Sequence, residues 1–211
     1  MQFSSKHLLQ QTSWERILFS DESWFELGSI KKSVWRRRGD YRPEVCRSES
    51  SHPPKVLIWG AVGHGFKSNL VFVDETVSAD TYINKILIQS GVIEHANAFH
   101  GVENWWFQQD NARAHVAERT ISFLRSKKVR ILEDWPPYSP DLNIIEIVWA
   151  IMDHKVEKRR PRTVAELKDI IIEVWNCETF DTINALVSSM PKRLRKVIMN
   201  QGRPVHGYKD C

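Results

Sequence analysis

The chain has 211 residues, of which 42% are hydrophobic and 27% charged, so it is long enough for one domain with a real core. It contains no apolar run of about 18 residues and no signal-peptide pattern, so we expect no membrane association. The net charge of +4 is compatible with a nucleic-acid partner but does not indicate one. Three widely spaced cysteines form neither a zinc motif nor a disulfide framework, which favours a reducing environment.

The first part of the chain is predicted to form an antiparallel meander. Apolar and β-branched runs predict strands at residues 16–20, 24–27, 34–37, 55–62 and 69–73. Residues 39–54 are rich in Pro, Ser, Arg and Glu, which is typical of a long loop.

The second part of the chain alternates between helical and extended patterns. Helices are predicted at residues 79–89, 114–126, 143–157, 163–175 and 191–201, and strands at 105–109 and 129–132. Three prolines exclude a helix or a central strand from residues 135–140. The order of elements predicts an α/β fold in which helices pack on the faces of a mixed sheet.

Three acidic residues stand at informative places in this order. Asp21 follows the first predicted strand, Asp110 follows the strand at 105–109, and Glu146 lies near the start of the helix at 143–157. Taken singly, such residues usually form turns or cap helices. Taken together, they could meet at one edge of the sheet, where only a cation would offset their repulsion. Oxygen ligands suit Mg²⁺ or Mn²⁺, and two such ions are the usual apparatus for phosphodiester chemistry.

Six segments carry a resemblance to a known family. They are ILFSDESWFEL (17–27), VWRRRGD (34–40), KVLIWGAV (55–62), WWFQQDNARAH (105–115), WPPYSPDLNIIEIVW (135–149) and SMPKRLRKVI (189–198). In this order they resemble the catalytic domain of a Tc1/mariner-type DDE transposase. The resemblance implies an RNase H-like fold with a five-stranded mixed sheet. It also implies that Asp21, Asp110 and Glu146 form a catalytic and metal-binding triad for two Mg²⁺ or Mn²⁺ ions. The implied reaction is DNA cleavage and strand transfer, usually into TA dinucleotides.

The resemblance also suggests a domain organisation. We expect a linker remnant at 1–13, the catalytic domain at 14–190 with an inserted loop and strand region at 28–54, and a basic helix and tail at 191–211. Members of the family carry two N-terminal helix-turn-helix units that read the transposon ends, and we expect this chain to lack them. Sequence-specific DNA binding would then be largely lost.

The chain departs from the family pattern close to the acids. Arg113 and Ile144 stand where the family usually has proline, and Asp141 offers an alternative third acid, although we prefer Glu146. A truncated or co-opted relic that binds DNA or protein without catalysis is therefore the competing hypothesis.

Basic residues form three clusters that are candidates for contacting DNA phosphates, although solvated surface is the alternative for each. The candidates are Lys31, Lys32, Arg36, Arg37, Arg38, Lys155, Lys158, Arg159, Arg160, Lys192 and Arg193. Residues 158–162 (KRRPR) also fit a nuclear-import signal, and we expect the protein in the nucleus. Residues 28–54 fall where mariner-type dimers clasp each other, so we expect a homodimer on double-stranded DNA.

Three polar residues near the acids are candidates for supporting roles. Asn111 and Asn143 could orient the acids or hold a metal-linked water, with helix capping as the equal alternative. His115 could lean toward the site, or could be a hydrogen-bonded structural histidine.

Overall fold

The computed structural model describes residues 1–28, 53–137, 139 and 141–203. The strand predicted at 34–37 and the candidate DNA contacts from Lys31 to Arg38 lie outside these residues. Within them, six strands form one sheet: β1 (Ile17–Glu26), β2 (Lys55–Gly63), β3 (Phe66–Lys67), β4 (Val71–Val73), β5 (Trp106–Gln108) and β6 (Arg130–Ile131).

The sheet is mixed, as predicted, but its described part holds six strands instead of five. The order is β3–β2–β1–β5–β6, with β1 and β2 antiparallel and with β5 parallel to both β1 and β6. Both β3 and β4 pair with β2, on the side away from β1. The six strands therefore occupy five positions across the sheet.

The first two predicted strands are in fact one. β1 runs without a break through Asp21, because its pairing with β2 extends from Phe19 to Glu26 and includes the polar residues 20–23. Asp21 lies opposite Gly60 in this ladder. The placement of Asp21 after a strand end was therefore wrong, since the acid lies within the strand.

Nine α-helical segments lie within the described residues: α1 (Gln2–Leu9), α2 (Ala79–Thr81), α3 (Val92–His100), α4 (Arg113–Val116), α5 (Glu118–Ser126), α6 (Ile144–Arg159), α7 (Val164–Cys177), α8 (Phe180–Ser188) and α9 (Met190–Met199). A π-helix, Tyr82–Ile88, continues α2. The helix predicted at 114–126 is broken at Ala117, and α1, α3 and α8 were not predicted.

Helices cover both faces of the sheet and divide the apolar core in two. One cluster joins β1 residues such as Phe19 to α6, α7, α8 and α9, and the other joins Leu18 to α3, α5 and the π-helix. Alternate residues of β1 supply the two clusters because successive side chains of a strand point to opposite faces. The two-sided cover predicted from the order of elements is confirmed.

Tryptophans hold α6 and α7 against the sheet. The rings of Trp149 and Trp175 stack with centroids 5.3 Å apart. A β-carbon at Gly60 would lie 2.9 Å from Trp149 and 3.0 Å from Trp175, so the helices approach the sheet closely only because this residue is glycine. This contact at Gly60 sets how closely α6 packs on the sheet.

The N-terminal segment is part of the folded domain. Residues 1–13, expected from the sequence to be a linker, contain α1, which contacts α9 and buries Phe3 and His7. The rings of Phe3 and Trp135 meet edge to face at 5.4 Å, and Lys6 Nζ lies 2.9 Å from Asp134 Oδ2. The polar sequence of α1 concealed it, because only a narrow face of the helix is apolar.

Candidate active site

A cleft of about 370 Å³ opens at the level of Asp21 on the sheet. It is lined by Asp21, Asp110, Asn111, Ala112, Trp135, Pro136, Pro137, Ser139, Asn143 and Glu146. The three predicted acids and both predicted asparagines thus share one cleft. Its wall is the proline-rich loop that follows β6, which the prolines keep out of regular structure.

Asp21 and Glu146 form a close pair of carboxyl groups. Glu146 lies in the first turn of α6 and lines the same cleft as Asp21, close enough for its charge to act on that carboxyl group. Burial, followed by the charges of Glu146 and Glu22, raises the pKa of Asp21 to about 8. Asp21 therefore takes up a proton more readily than an ordinary aspartate.

Asp110 has a different environment, with cationic and backbone donors. Its Oδ1 accepts hydrogen bonds from the Ala112 N–H at 2.9 Å and from His115 Nδ1 at 2.5 Å. The hydrogen bond from His115 outweighs burial and lowers the pKa of Asp110. Asp110 is thus held as a carboxylate.

His115 links Asp110 to a fourth acid that was missed in the sequence. Its Nε2 lies 3.3 Å from Glu22 Oε1, and the imidazole is almost fully buried. Burial opposes the charged form, but the hydrogen bonds with Asp110 and Glu22 prevail and raise the pKa of His115 to about 9. The sequence signal was an acid directly after Asp21, which strand alternation turns to the opposite face of the sheet.

A buried polar network fixes the position of His115 on that face. The Tyr82 ring lies 4.2 Å from the imidazole, and the Tyr82 hydroxyl donates to Gln109 Oε1. Gln109 Nε2 in turn donates to the His115 carbonyl at 3.0 Å. His115 is therefore held by its main chain, its ring face and both ring nitrogens.

The two asparagines make different contacts. Asn143 occupies the N-cap position of α6, yet its side chain makes no capping hydrogen bond. Its Nδ2 instead donates to Asp21 Oδ2 at 3.1 Å, while its buried Oδ1 has no partner among the described residues. Asn111 Nδ2 donates to the Trp135 carbonyl and ties the residue after Asp110 to the cleft wall. Asn143 thus orients an acid, and Asn111 braces a loop.

The donors around the cleft suit a hard cation without being gathered around one. Within the described ranges, no three His, Cys, Asp or Glu side chains surround a common point, because Asp21 pairs with Glu146 and Asp110 with His115. The facing carboxyls and the unpartnered Asn143 Oδ1 are nevertheless oxygen ligands of the kind that Mg²⁺ and Mn²⁺ prefer. The chemistry of these donors therefore fits a divalent ion.

The predicted DNA contacts divide into free and engaged cations. Lys158, Arg160 and Lys192 are exposed. Lys155 Nζ lies 2.6 Å from the buried Glu178, and Arg159 pairs with Glu173 at the same distance.

Arg193 was wrongly assigned as a DNA contact. It is only 2% exposed, with its guanidinium bonded to the Ser189 hydroxyl and the Asp141 carbonyl. On α9 it lies beside Leu194 and one turn before Val197, which places it on the inward face.

None of the helices in the described part of the chain has the length and apolarity needed to cross a membrane.

A mixed sheet with helices on both faces and acids at one cleft is the arrangement of an RNase H-like domain. The chain belongs to the DDE superfamily endonuclease family, whose model matches residues 16–168. The resemblance to Tc1/mariner-type catalytic domains is thereby confirmed.

Individual relatives agree with this membership. The chain is 33% identical over 202 residues to the transposable element Tc3 transposase of Caenorhabditis elegans, covering 92% of this chain and 59% of the relative. It is also 28% identical over 195 residues to the transposable element Tcb1 transposase of Caenorhabditis briggsae, covering 90% of this chain and 70% of the relative.

The fold is shared with solved structures of Mos1 transposase. The paired-end complex with left transposon end superposes with a TM-score of 0.78 at 20% identity, covering 96% of this chain and 60% of that one. The mariner Mos1 paired end complex with Mg gives a TM-score of 0.80 at 18% identity, covering 97% and 62%. The chain thus spans about three-fifths of the length of Tc3 transposase and of these Mos1 chains.

Proposed function

We propose that this chain is the catalytic core of a Tc1/mariner-type DNA transposase, which cleaves DNA and joins the freed strand to a TA target. The observation that carries the proposal is the meeting of Asp21, Asp110 and Glu146 in one cleft of an RNase H-like domain. The similarity to Tc3 transposase and to a Mos1 complex with transposon-end DNA supports this reaction and substrate.

Two divalent ions, Mg²⁺ or Mn²⁺, would be held by Asp21, Asp110 and Glu146. The facing acids and the unpartnered Asn143 Oδ1 support this assignment, as does the Mos1 complex that contains Mg. Bound ions of this kind activate a water or a 3′-hydroxyl and stabilise the leaving oxygen of the phosphodiester.

The surrounding residues would position the acids. Asn143 Nδ2 donates to Asp21 Oδ2 and the Glu22 backbone N–H donates to Asp21 Oδ1, so both carboxyl oxygens are held in place. His115 and Glu22 hold Asp110 from the opposite face of the sheet. Trp135 and the prolines after it shape the wall against which a DNA strand would lie.

Double-stranded DNA is the proposed partner, bound by a homodimer in the nucleus. The exposed Lys158, Arg160 and Lys192 would contact phosphates, together with Lys31, Lys32 and Arg36 to Arg38 of the 28–54 region. Such contacts position DNA without reading its sequence. Imaging of a fluorescent fusion, with residues 158–162 intact or neutralised, tests the nuclear location.

Separate Asp21→Asn, Asp110→Asn and Glu146→Gln variants test the catalytic assignment in a plasmid-nicking assay with Mg²⁺ or Mn²⁺. Each is expected to abolish nicking. Asp141→Asn is the matched control, because Asp141 does not line the cleft, and it is expected to retain nicking. Nicking by all three site variants would overturn the triad.

A relic without catalysis is the second candidate, favoured by the separate pairing of Asp21 with Glu146 and of Asp110 with His115. Titration with Mn²⁺ distinguishes the two. A catalytic core binds Mn²⁺ saturably and loses this binding in Asp21→Asn, whereas a relic shows no saturable binding.

A further inference from the structure

We propose that DNA leaving the cleft follows a trough along the outer edge of β6 to a basic turn between α5 and β6. The basic turn consists of Arg125, Lys127, Lys128 and Arg130, which were not among the predicted DNA contacts. The inference rests on the proposed function and adds a path for the substrate beyond the cleft.

Shared lining residues make the trough continuous. The cleft shares Pro136 with a hollow of about 630 Å³, which is bordered by Phe3 and Lys6 of α1. That hollow shares Lys6 with a third, of about 760 Å³, whose lining includes Arg125 and Arg130. The three hollows therefore lie side by side between the acids and the basic turn.

The cations of the basic turn are exposed and do not form ion pairs with described residues. Its four cations fall within six consecutive residues, all four are exposed, and none forms an ion pair with any residue that the structure describes. Lys155 and Arg159, by contrast, are each paired with a glutamate. The acids that line the third hollow are Glu118 and Glu133. Lys6, Arg125 and Arg130 also line it, so cations predominate at this end of the trough.

One cation of the turn is held ready for a phosphate. The Arg130 guanidinium lies over the Trp106 ring, 5.0 Å from its centroid. Stacking on an aromatic ring orders the guanidinium while leaving its N–H donors free. Arg130 thereby loses less side-chain entropy when it binds an anion.

The distance to the cleft suits one DNA duplex. Arg130 lies beside Trp106 in the sheet, and Trp106 precedes Asp110 by four residues. At about 3.3 Å per residue, the turn begins ~13 Å from the acids along the strand direction. A duplex carries one phosphate charge per ~1.7 Å of its axis, so a single duplex can reach both places.

The test compares two triple variants that remove the same charge. Arg125→Gln/Lys127→Gln/Lys128→Gln removes three cations from the turn. Lys55→Gln/Lys85→Gln/Lys168→Gln removes three that contact Trp24, Glu75 and Asp74 elsewhere on the surface. Binding to a labelled random-sequence duplex is measured by fluorescence anisotropy over a range of salt concentrations.

The turn variant is expected to bind at least about tenfold more weakly at low salt, with a slope of log K against log salt shallower by about 2–3. The control is expected to keep most of the parent's affinity and slope, and thermal melting should show both variants folded. Equal losses in the two variants, or no loss in the turn variant, would overturn the trough. If the parent protein nicks DNA while either of these outcomes is observed, the proposed function stands although the trough does not. A parent that neither binds nor nicks DNA overturns both.

Discussion

The side chain of Asn143 stands at the N-cap of α6 but contacts an acid of the cleft instead of capping the helix. Asparagine is favoured at an N-cap because its oxygen accepts from the first turn of the helix. Here the amide donates to Asp21 instead, and its oxygen is left buried without a partner in the described structure. A buried polar atom without a partner costs stability, so a ligand for it is the economical explanation.

Asn143→Asp tests that explanation. The change keeps the shape of the side chain, removes the donor to Asp21 and adds a third carboxyl beside two others. We expect the metal-free protein to lose about 2 kcal/mol of stability, or roughly 4–8 °C in melting temperature, because like charges are crowded. Added Mn²⁺ is expected to restore most of the loss.

Asn111→Asp is the matched control, since its amide contacts a carbonyl in the same cleft. Thermal melting with and without Mn²⁺ measures both variants. A loss in Asn143→Asp that Mn²⁺ leaves unchanged would refute a cation at this oxygen.

Among the elements, α1 supports the wall of the cleft, although a linker was expected at this place in the sequence. Phe3 packs against Trp135, whose carbonyl accepts from Asn111, the neighbour of Asp110. A helix outside the sheet thus supports the wall of the cleft through two contacts. Its removal would loosen the wall without touching an acid.

Phe3→Ala is therefore expected to cost about 3 kcal/mol, in line with loss of a buried phenyl ring, and to reduce nicking further than its stability loss explains. Leu9→Ala is the control, because Leu9 lies on the same helix and is 84% exposed, and it should change stability by less than about 0.5 kcal/mol. Urea unfolding and nicking at a temperature where both variants are folded give the two readouts. Unchanged nicking in folded Phe3→Ala would limit α1 to a purely stabilising role.

The elements also show what sequence could predict. The strand β2 was recognised from its continuous apolar run, and α6 and α7 were recognised from apolar residues at helical spacing over a long stretch. The helices α1, α3 and α8 are short, and the break at Ala117 depends on tertiary packing.

The site likewise contains residues that the sequence could predict and residues that it could not. The triad and the asparagines were found from position and motif, whereas Glu22 depended on which way a strand residue faces. Arg193 was misassigned because its charge masked a place on the inward face of α9.

For the whole molecule, buried titratable groups make stability depend on pH in two opposite directions. Burial, together with the charge of Lys6, lowers the pKa of His7, and burial with the charge of Arg16 lowers that of His100. At these two residues the unfolded chain binds more protons than the folded one, whereas at Asp21 and His115, whose pKa values are raised to about 8 and about 9, the folded chain binds more. The stabilising contribution of His7 and His100 is full well above the ordinary histidine value of about 6.5 and is lost as the pH drops through it toward the lowered values.

Urea unfolding at several pH values between about 8 and 5 measures this loss. The stability of the parent relative to that of His7→Gln should fall steadily below about pH 7, because His7 titrates in the parent and is absent from the variant. An equal loss in both proteins would exclude His7 as a source.

Asp21 and Glu22 are neighbours on one strand and serve opposite faces of the sheet. A single residue inserted or deleted between Ile17 and Asp21 would turn each acid to the opposite face of the sheet, so that the aspartate would no longer face the cleft. Point substitutions elsewhere in β1 would leave both acids where they are. The length of this stretch therefore matters to the site independently of its buried side chains, and a count of residues there tests whether a relative keeps each acid on its own face of the sheet.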